Sequence, residues 1–273
     1  MIDQTVWRLL AITALVHLVF AVWPIIDIAA SSYFVLPDGS FWLSNNPFAE
    51  NIRMPLWLAS VAVAIVSVVM LGVSLYLGKT TQTSSRLWAF IATTYLLGPG
   101  FLVNGILKQN WGRARPVNIV EFGGDRMFTP PFEIADQCAQ NCSFVSGEAA
   151  SAMVMIVVLS VCFHGAIRWH WRPAVFVGLA TVFVIASGMR IGSGRHFLSD
   201  VVFAGLFMLI IARMCYLAFG VQVPQSNRLA AAVLADLSGA ARPVWRFART
   251  LISPPAVALA ATLGDHEKQK DAA

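Results

Sequence analysis

The chain has 273 residues, 58% of them hydrophobic and only 12% charged, with a mean hydropathy of +0.69 and a formal charge of +5. A soluble domain carries about a quarter charged residues, so an ordinary soluble globule is excluded, and nine Trp and eighteen Phe exclude disorder. Four Cys are too few for a disulfide scaffold. The composition is that of a polytopic membrane protein.

A helix needs roughly 20 mostly apolar residues to cross the hydrocarbon core. Six stretches meet that requirement, at about 9–30, 55–78, 87–107, 149–167, 174–190 and 201–219. The first is too long, and too soon followed by a second, for a cleaved signal peptide. Between the first two lies a loop, 31–54, whose Trp and Phe suit the headgroup region. The third span contains Gly98-Pro99-Gly100, which predicts a kink. A second loop, 108–147, is rich in Pro, Gly and acids. The chain thus reads as an all-α bundle of six transmembrane helices over residues 1–220, its motif-bearing part at 87–219, followed by a tail at 221–273.

Orientation follows from the cations in short loops. With the N-terminus cytoplasmic, twelve of the nineteen Lys and Arg fall inside, and the tail and C-terminus lie there too. In the tail, Arg242, Arg246 and Arg249 share one stripe with Trp245, Phe247 and Leu251 around the rest, the pattern of a basic amphipathic helix on anionic lipid. The opposite side is expected to be periplasmic or extracellular. Cys138 and Cys142 lie on that oxidising side and are expected to form a short disulfide. Cys162 and Cys215 lie in apolar runs without ligand partners, so no metal site is expected.

Three segments at the outer ends of spans carry the chemistry. They are "KQNWGRARP" with Lys108, Arg113 and Arg115, "CSFVSGEAAS" with Ser146, Gly147 and Glu148, and "SGMRIGSGRHFLSD" with Arg190, Arg195, His196 and Asp200. Lys and Arg together bind a tetrahedral anion, one as a point charge and the other as a fork. Ser146 and Gly147 precede a helix, whose first amides and positive end attract the same anion. His196 and Asp200 are one helical turn apart, the base–orienter spacing of nucleophilic catalysis, with the histidine itself a candidate nucleophile. Taken singly, a cation at a helix end ordinarily snorkels and a Ser-Gly ordinarily caps. Three such segments on one membrane face point to a site.

These segments resemble the signature of the type 2 phosphatidic acid phosphatase (PAP2) superfamily. Lys108 and Arg115-Pro116 match its K-x6-RP element, Ser146-Gly147 the centre of its PSGH element, and Arg190, His196 and Asp200 its R-x5-H-x3-D element. The resemblance covers roughly residues 55–220 and is greatest to the bacterial lipid A phosphatase branch. It implies a six-helix PAP2 bundle with its site at the outer face. Lys108, Arg115 and Arg190, with Ser146 and the Gly147 amide, would bind phosphate. His196 would attack phosphorus to form a phosphohistidine, with Asp200 on its other ring nitrogen, and neither metal nor cofactor is implied. Arg113 and Arg195 fall outside the family positions, as supporting or headgroup contacts. Glu148 stands where the family has the histidine associated with protonating the leaving group, and Met189 where it usually has Ser. A general acid needs a pKa near the working pH, while an ordinary Glu titrates near ~4.3. Either burial raises Glu148, or the leaving group needs little protonation, which favours a glycosyl phosphate or a phosphoanhydride over an alkyl phosphate, or Glu148 marks a weakened enzyme. The structural reading is that it complements the helix end or pairs with Arg195.

The function implied is metal-independent hydrolysis of a phosphomonoester or diphosphate of a phospholipid or glycolipid such as lipid A. Within the same class stand an undecaprenyl diphosphate or phosphatidylglycerophosphate phosphatase and a lipid phosphotransferase. A non-catalytic lipid-phosphate binding or transport protein is the alternative of another class. Partners are the lipid substrate and membrane lipids, and neither nucleic acid nor a protein partner is implied.

Overall fold

The computed structural model describes residues 3–77, 83–221 and 230–239. Among them the chain is helical, with two isolated β-bridges (Val35–Phe41 and Ile119–Arg126) and no extended sheet. In chain order the helices are α1 (Gln4–Val22), α2 (Ile25–Ser32), α3 (Pro47–Leu77), α4 (Ser85–Tyr95, continued by a π-helix at Leu96–Leu107), α5 (Gly147–Phe163), α6 (Arg172–Gly192), α7 (Leu198–Ala218) and α8 (Ala230–Gly239). α1, α3, α4 with its extension, α6 and α7 are long and apolar enough to cross a membrane. The remaining predicted span, the fourth in chain order, is α5, a 17-residue apolar helix. It packs against α3, α6 and α7, with Ala149, Ala150, Val154 and Val158 buried. Large apolar side chains face outward along the spans, such as Leu15, Ile65 and Phe176 at 62%, 59% and 72% exposure. A surface of that kind is untenable in water and is what lipid covers. The protein is a polytopic helical membrane protein.

Three local expectations are revised. The first span starts earlier than residue 9 and does not run to 30: α1 ends at Val22, and Pro24, which lacks an N–H, separates it from α2. Asp27 therefore lies in a short helix of its own, with no exposed surface. Residues 31–54 are not loop throughout. Asn46 caps α3, its Oδ1 accepting from the Phe48 and Ala49 amides at 2.9 and 3.3 Å, and Pro47 starts the helix. This moves Glu50 and Arg53 onto helix. In the third span, the helix beyond Tyr95 widens into a π-helix around Pro99, with Asn104 Nδ2 donating to the Pro99 carbonyl at 2.7 Å.

The predicted tail is partly built into the bundle. In α8, Val233 joins the core cluster, and Asp236 Oδ2 accepts from the Thr83 amide at 2.7 Å. The basic stripe at 242–251 lies outside the described residues. Asp3, the cap of α1, is held by Arg213 of α7 through two 3.0 Å hydrogen bonds, which fixes the first helix on the last span.

Candidate active site

The up-and-down order of the spans sets the end of α4's extension, the starts of α5 and α7, and the end of α6 at one end of the bundle. The turn between α6 and α7 is tight because Gly194 adopts φ +66° and sits against the Phe41 ring, where a Cβ would stand 2.6 Å from a ring carbon. The Arg195 and His196 amides both donate back to the Arg190 carbonyl, at 3.1 and 3.3 Å. Arg190 and His196 are thereby held side by side.

His196 is buried, and its Nδ1 is 2.7 Å from the Ser143 carbonyl oxygen. A carbonyl can only accept, so Nδ1 carries the proton and Nε2 keeps a free lone pair. The resemblance gives the holding role to Asp200, but Asp200 Oδ2 is 3.7 Å from Nδ1. Asp200 instead accepts from the Ser143 hydroxyl (2.5 Å), the Phe197 amide (2.8 Å) and Arg113 Nη1 (2.7 Å). It caps α7 and supports His196 by charge and through Ser143.

Behind this pair lies a polar network without solvent contact. Arg113 is fully buried and also donates to Asp27 (2.8 Å), the Ser199 hydroxyl (2.9 Å) and the Thr129 carbonyl (2.8 Å), with its guanidinium 4.3 Å from the Phe197 ring centre. Asp27 further accepts from the Ser199 amide and hydroxyl at 2.8 and 2.5 Å. Arg113 is thus an internal strut and has no headgroup role, and Asp27 is its unforeseen counter-ion.

Around His196 stand the cations. Lys108, Arg115, Arg190 and Arg195 form one electrostatic cluster, and Lys108 and Arg190 act on His196 as well. Burial and the neighbouring Arg195 push the Arg115 guanidinium below its ordinary value. A Cβ on Gly147 would lie 3.6 Å from Lys108 Nζ, so the ammonium stands over the first residue of α5. Ser146 caps that helix, its hydroxyl accepting from the Ala149 amide at 3.3 Å. Arg190 Nε is buried without a hydrogen-bond partner among the described residues. Arg195 is exposed at the rim.

Glu148 projects from the first turn of α5 into an ion-pair chain. Its Oε1 is 2.8 Å from Arg53 Nη1 and 3.3 Å from Arg190 Nη1, and Arg53 also grips Glu50. Its partners are Arg53 and Arg190, whereas the sequence suggested Arg195. Cys138 and Cys142 are joined in a disulfide that closes the loop beside Lys108 and Arg115.

The residues 86–223 match the model of the PAP2 superfamily. The chain belongs to the PAP2 superfamily. No solved structure matches it. Among curated proteins it is similar to a lipid A 4′-phosphatase of Francisella tularensis subsp. novicida, 37% identical over 155 residues, which are 56% of this chain and 66% of that protein. It is also similar to the lipid A 4′-phosphatases of Rhizobium leguminosarum (42% over 118 residues, 43% and 48% of the two chains) and Rhizobium etli (41% over 116 residues, 42% and 43%). The matches therefore span about half to two thirds of these relatives' lengths. All three elements of the PAP2 signature lie within the matched residues, whereas Asp27 and Arg53, which complete this site, lie before them.

The surroundings of His196 make a pH statement. Burial pushes its imidazole down to about 4, against the raising effect of Asp200. The folded protein therefore keeps it neutral at pH 7, while the unfolded chain protonates it near ~6.5. Stability from this group is present above pH 6.5 and is lost as pH falls toward 4. In ¹⁵N NMR of histidine-labelled protein, the ring signals missing from His196→Asn should keep neutral Nδ1–H values from pH 8 to 5. A midpoint near 6.5 would contradict the buried, carbonyl-bound tautomer.

Proposed function

We propose that this protein is a membrane lipid phosphatase that removes a phosphate from lipid A, at the 4′ position named for its relatives, on the periplasmic face of a bacterial inner membrane. The observation that carries the reading is the His196 ring, fixed as the Nδ1–H tautomer by the Ser143 carbonyl beside a cluster of cations.

Lys108, Arg115 and Arg190 take the phosphate oxygens, with the Arg190 Nε–H, the Ser146 hydroxyl and the first amides of α5 completing the cradle. The lone pair of His196 Nε2 attacks phosphorus as the bond to the sugar oxygen breaks, and the positive ring that results is steadied by the Ser143 carbonyl and the nearby Asp200 carboxylate. Water then attacks the phosphohistidine, the P–N bond breaks, and the imidazole returns to its neutral form. A 4′ oxygen is an ordinary sugar alkoxide and needs a proton as it leaves. Glu148, whose Oε1 is engaged by two guanidiniums, aligns Arg190 and Arg53, and solvent water supplies the proton. Glu148→Gln should then lose the same fraction of rate on aryl and alkyl phosphates, whereas a loss confined to alkyl phosphates would return Glu148 to the role of acid.

The test is phosphate release by purified protein in detergent from lipid A, undecaprenyl diphosphate, phosphatidate and phosphatidylglycerophosphate, with mass spectrometry of the lipid product. The expected product is lipid A that retains only its 1-phosphate. Release from another member of the panel alone would change the substrate, and release from none would leave a phosphate-binding protein on a phosphatase fold.

A further inference from the structure

The segment 141–143 touches both the first and the third elements of the site. The Cys142 amide donates to the Lys108 carbonyl at 3.1 Å, and the Ser143 amide to the Arg113 carbonyl at 3.0 Å. The Ser143 carbonyl holds His196 Nδ1 and its hydroxyl holds Asp200. At the head of this segment, Asn141 engages both cations of the first element. Its side-chain oxygen accepts from Lys108 Nζ at 3.2 Å, and its backbone carbonyl accepts from Arg115 Nη2 at 2.8 Å.

Asn141 also has a backbone reason to be asparagine. Its φ is +52°, in the left-handed region that Asn tolerates and that most side chains avoid. The Cys138–Cys142 disulfide closes the five-residue loop in which it sits. Left-handed backbone turns the side chain and carbonyl toward two different cations, and the cross-link holds the turn. Lys108 and Arg115 mutually repel through their charges, so without such a fixture they would spread apart when no anion is bound.

We propose that Asn141, held by the disulfide-closed loop, is a positioning residue that sets the spacing of Lys108 and Arg115 for a tetrahedral oxyanion. The proposal rests on the phosphate-binding reading of the site. It gives the exposed loop a part in substrate affinity, with the backbone carbonyl serving Arg115 and the side chain serving Lys108. The two can be separated, because glycine keeps the left-handed backbone and the carbonyl while removing only the side chain.

The experiment measures the Kd of inorganic phosphate by calorimetry on the full chain in detergent, alongside kcat and KM for the lipid substrate. Asn141→Gly should weaken phosphate binding and raise KM by about fivefold, the worth of one net hydrogen bond, with kcat changed less than about twofold and the melting temperature unchanged. The same substitution in a Lys108→Met background should change Kd by less than about twofold, because its effect passes through Lys108. Opening the loop by Cys138→Ser with Cys142→Ser should weaken phosphate binding at least as much as Asn141→Gly. An unchanged Kd in Asn141→Gly, or equal losses with and without Lys108, overturns the proposal. A wild-type protein that binds phosphate yet hydrolyses no lipid overturns the phosphatase reading alone, and one that binds no phosphate overturns both.

Discussion

Replacing His196 with asparagine is expected to lower phosphate release by about a thousandfold or more while the protein still folds and binds phosphate. Asparagine retains an N–H that can reach the Ser143 carbonyl, the one hydrogen bond the ring makes through Nδ1, but has nothing in place of the Nε2 lone pair. Losing a covalent route worth several kcal/mol shows as at least three orders of magnitude in rate. Because His196 is buried, the smaller side chain leaves a gap, and a stability loss of about 1–2 kcal/mol accompanies the change. Rate and melting temperature separate the two effects. Retention of more than about a tenth of the wild-type rate would exclude His196 as the nucleophile.

The second large effect is expected at Arg113, away from the reacting atoms. Arg113→Met leaves Asp27 and Asp200 buried with their shared guanidinium gone. Breaking one side of a buried ion pair costs about 3–5 kcal/mol, enough to deplete the folded protein in the membrane. Lysine keeps the charge but cannot donate at once to Asp27, Asp200, Ser199 and the Thr129 carbonyl, as the guanidinium does. Arg113→Lys should therefore fall between methionine and wild type. Thermal unfolding and folded yield in detergent give the order. An Arg113→Met protein as stable as wild type would mean that the network is not a strut.

The sequence and the structure agree on which polar and charged residues gather at one end of the bundle, where these are near one another in the chain. Lys108 and Arg115, Ser146 and Gly147, and Arg190, His196 and Asp200 are legible because helix ends bring such clusters to one face whatever the loops do. Other parts are not legible, for identifiable reasons. The group that fixes the His196 tautomer is the Ser143 backbone carbonyl, which every residue type supplies. Asp27 is hidden because an apolar stretch with one acid reads as a continuous span; the signal was there in Pro24 and in an ionisable residue amid apolar ones. Arg53 is missed because hydropathy marks where lipid begins, whereas Asn46 and Pro47 mark where the helix begins. Arg113 and Arg115 are two residues apart in a non-helical stretch, and only the fold decides that one is sealed inside and the other meets the site.

The helices differ in how far they reach at the site end, and this sets depth. Arg53 meets Glu148, so the six residues of α3 from Pro47 onward rise about 9 Å beyond the level where α5 begins. α5 itself, at 17 residues, is about 26 Å long, shorter than the ~30 Å hydrocarbon slab. The anion cradle is therefore walled on the α3 side, below the start of that helix. A phosphate attached to a lipid already rides near that depth and needs no lifting from its leaflet. A soluble phosphate ester would have to descend into the well, leaving water behind without the anchorage that acyl chains provide. On the proposed reading, selectivity for membrane-borne substrates would then begin with helix length, before any contact with the sugar or the chains.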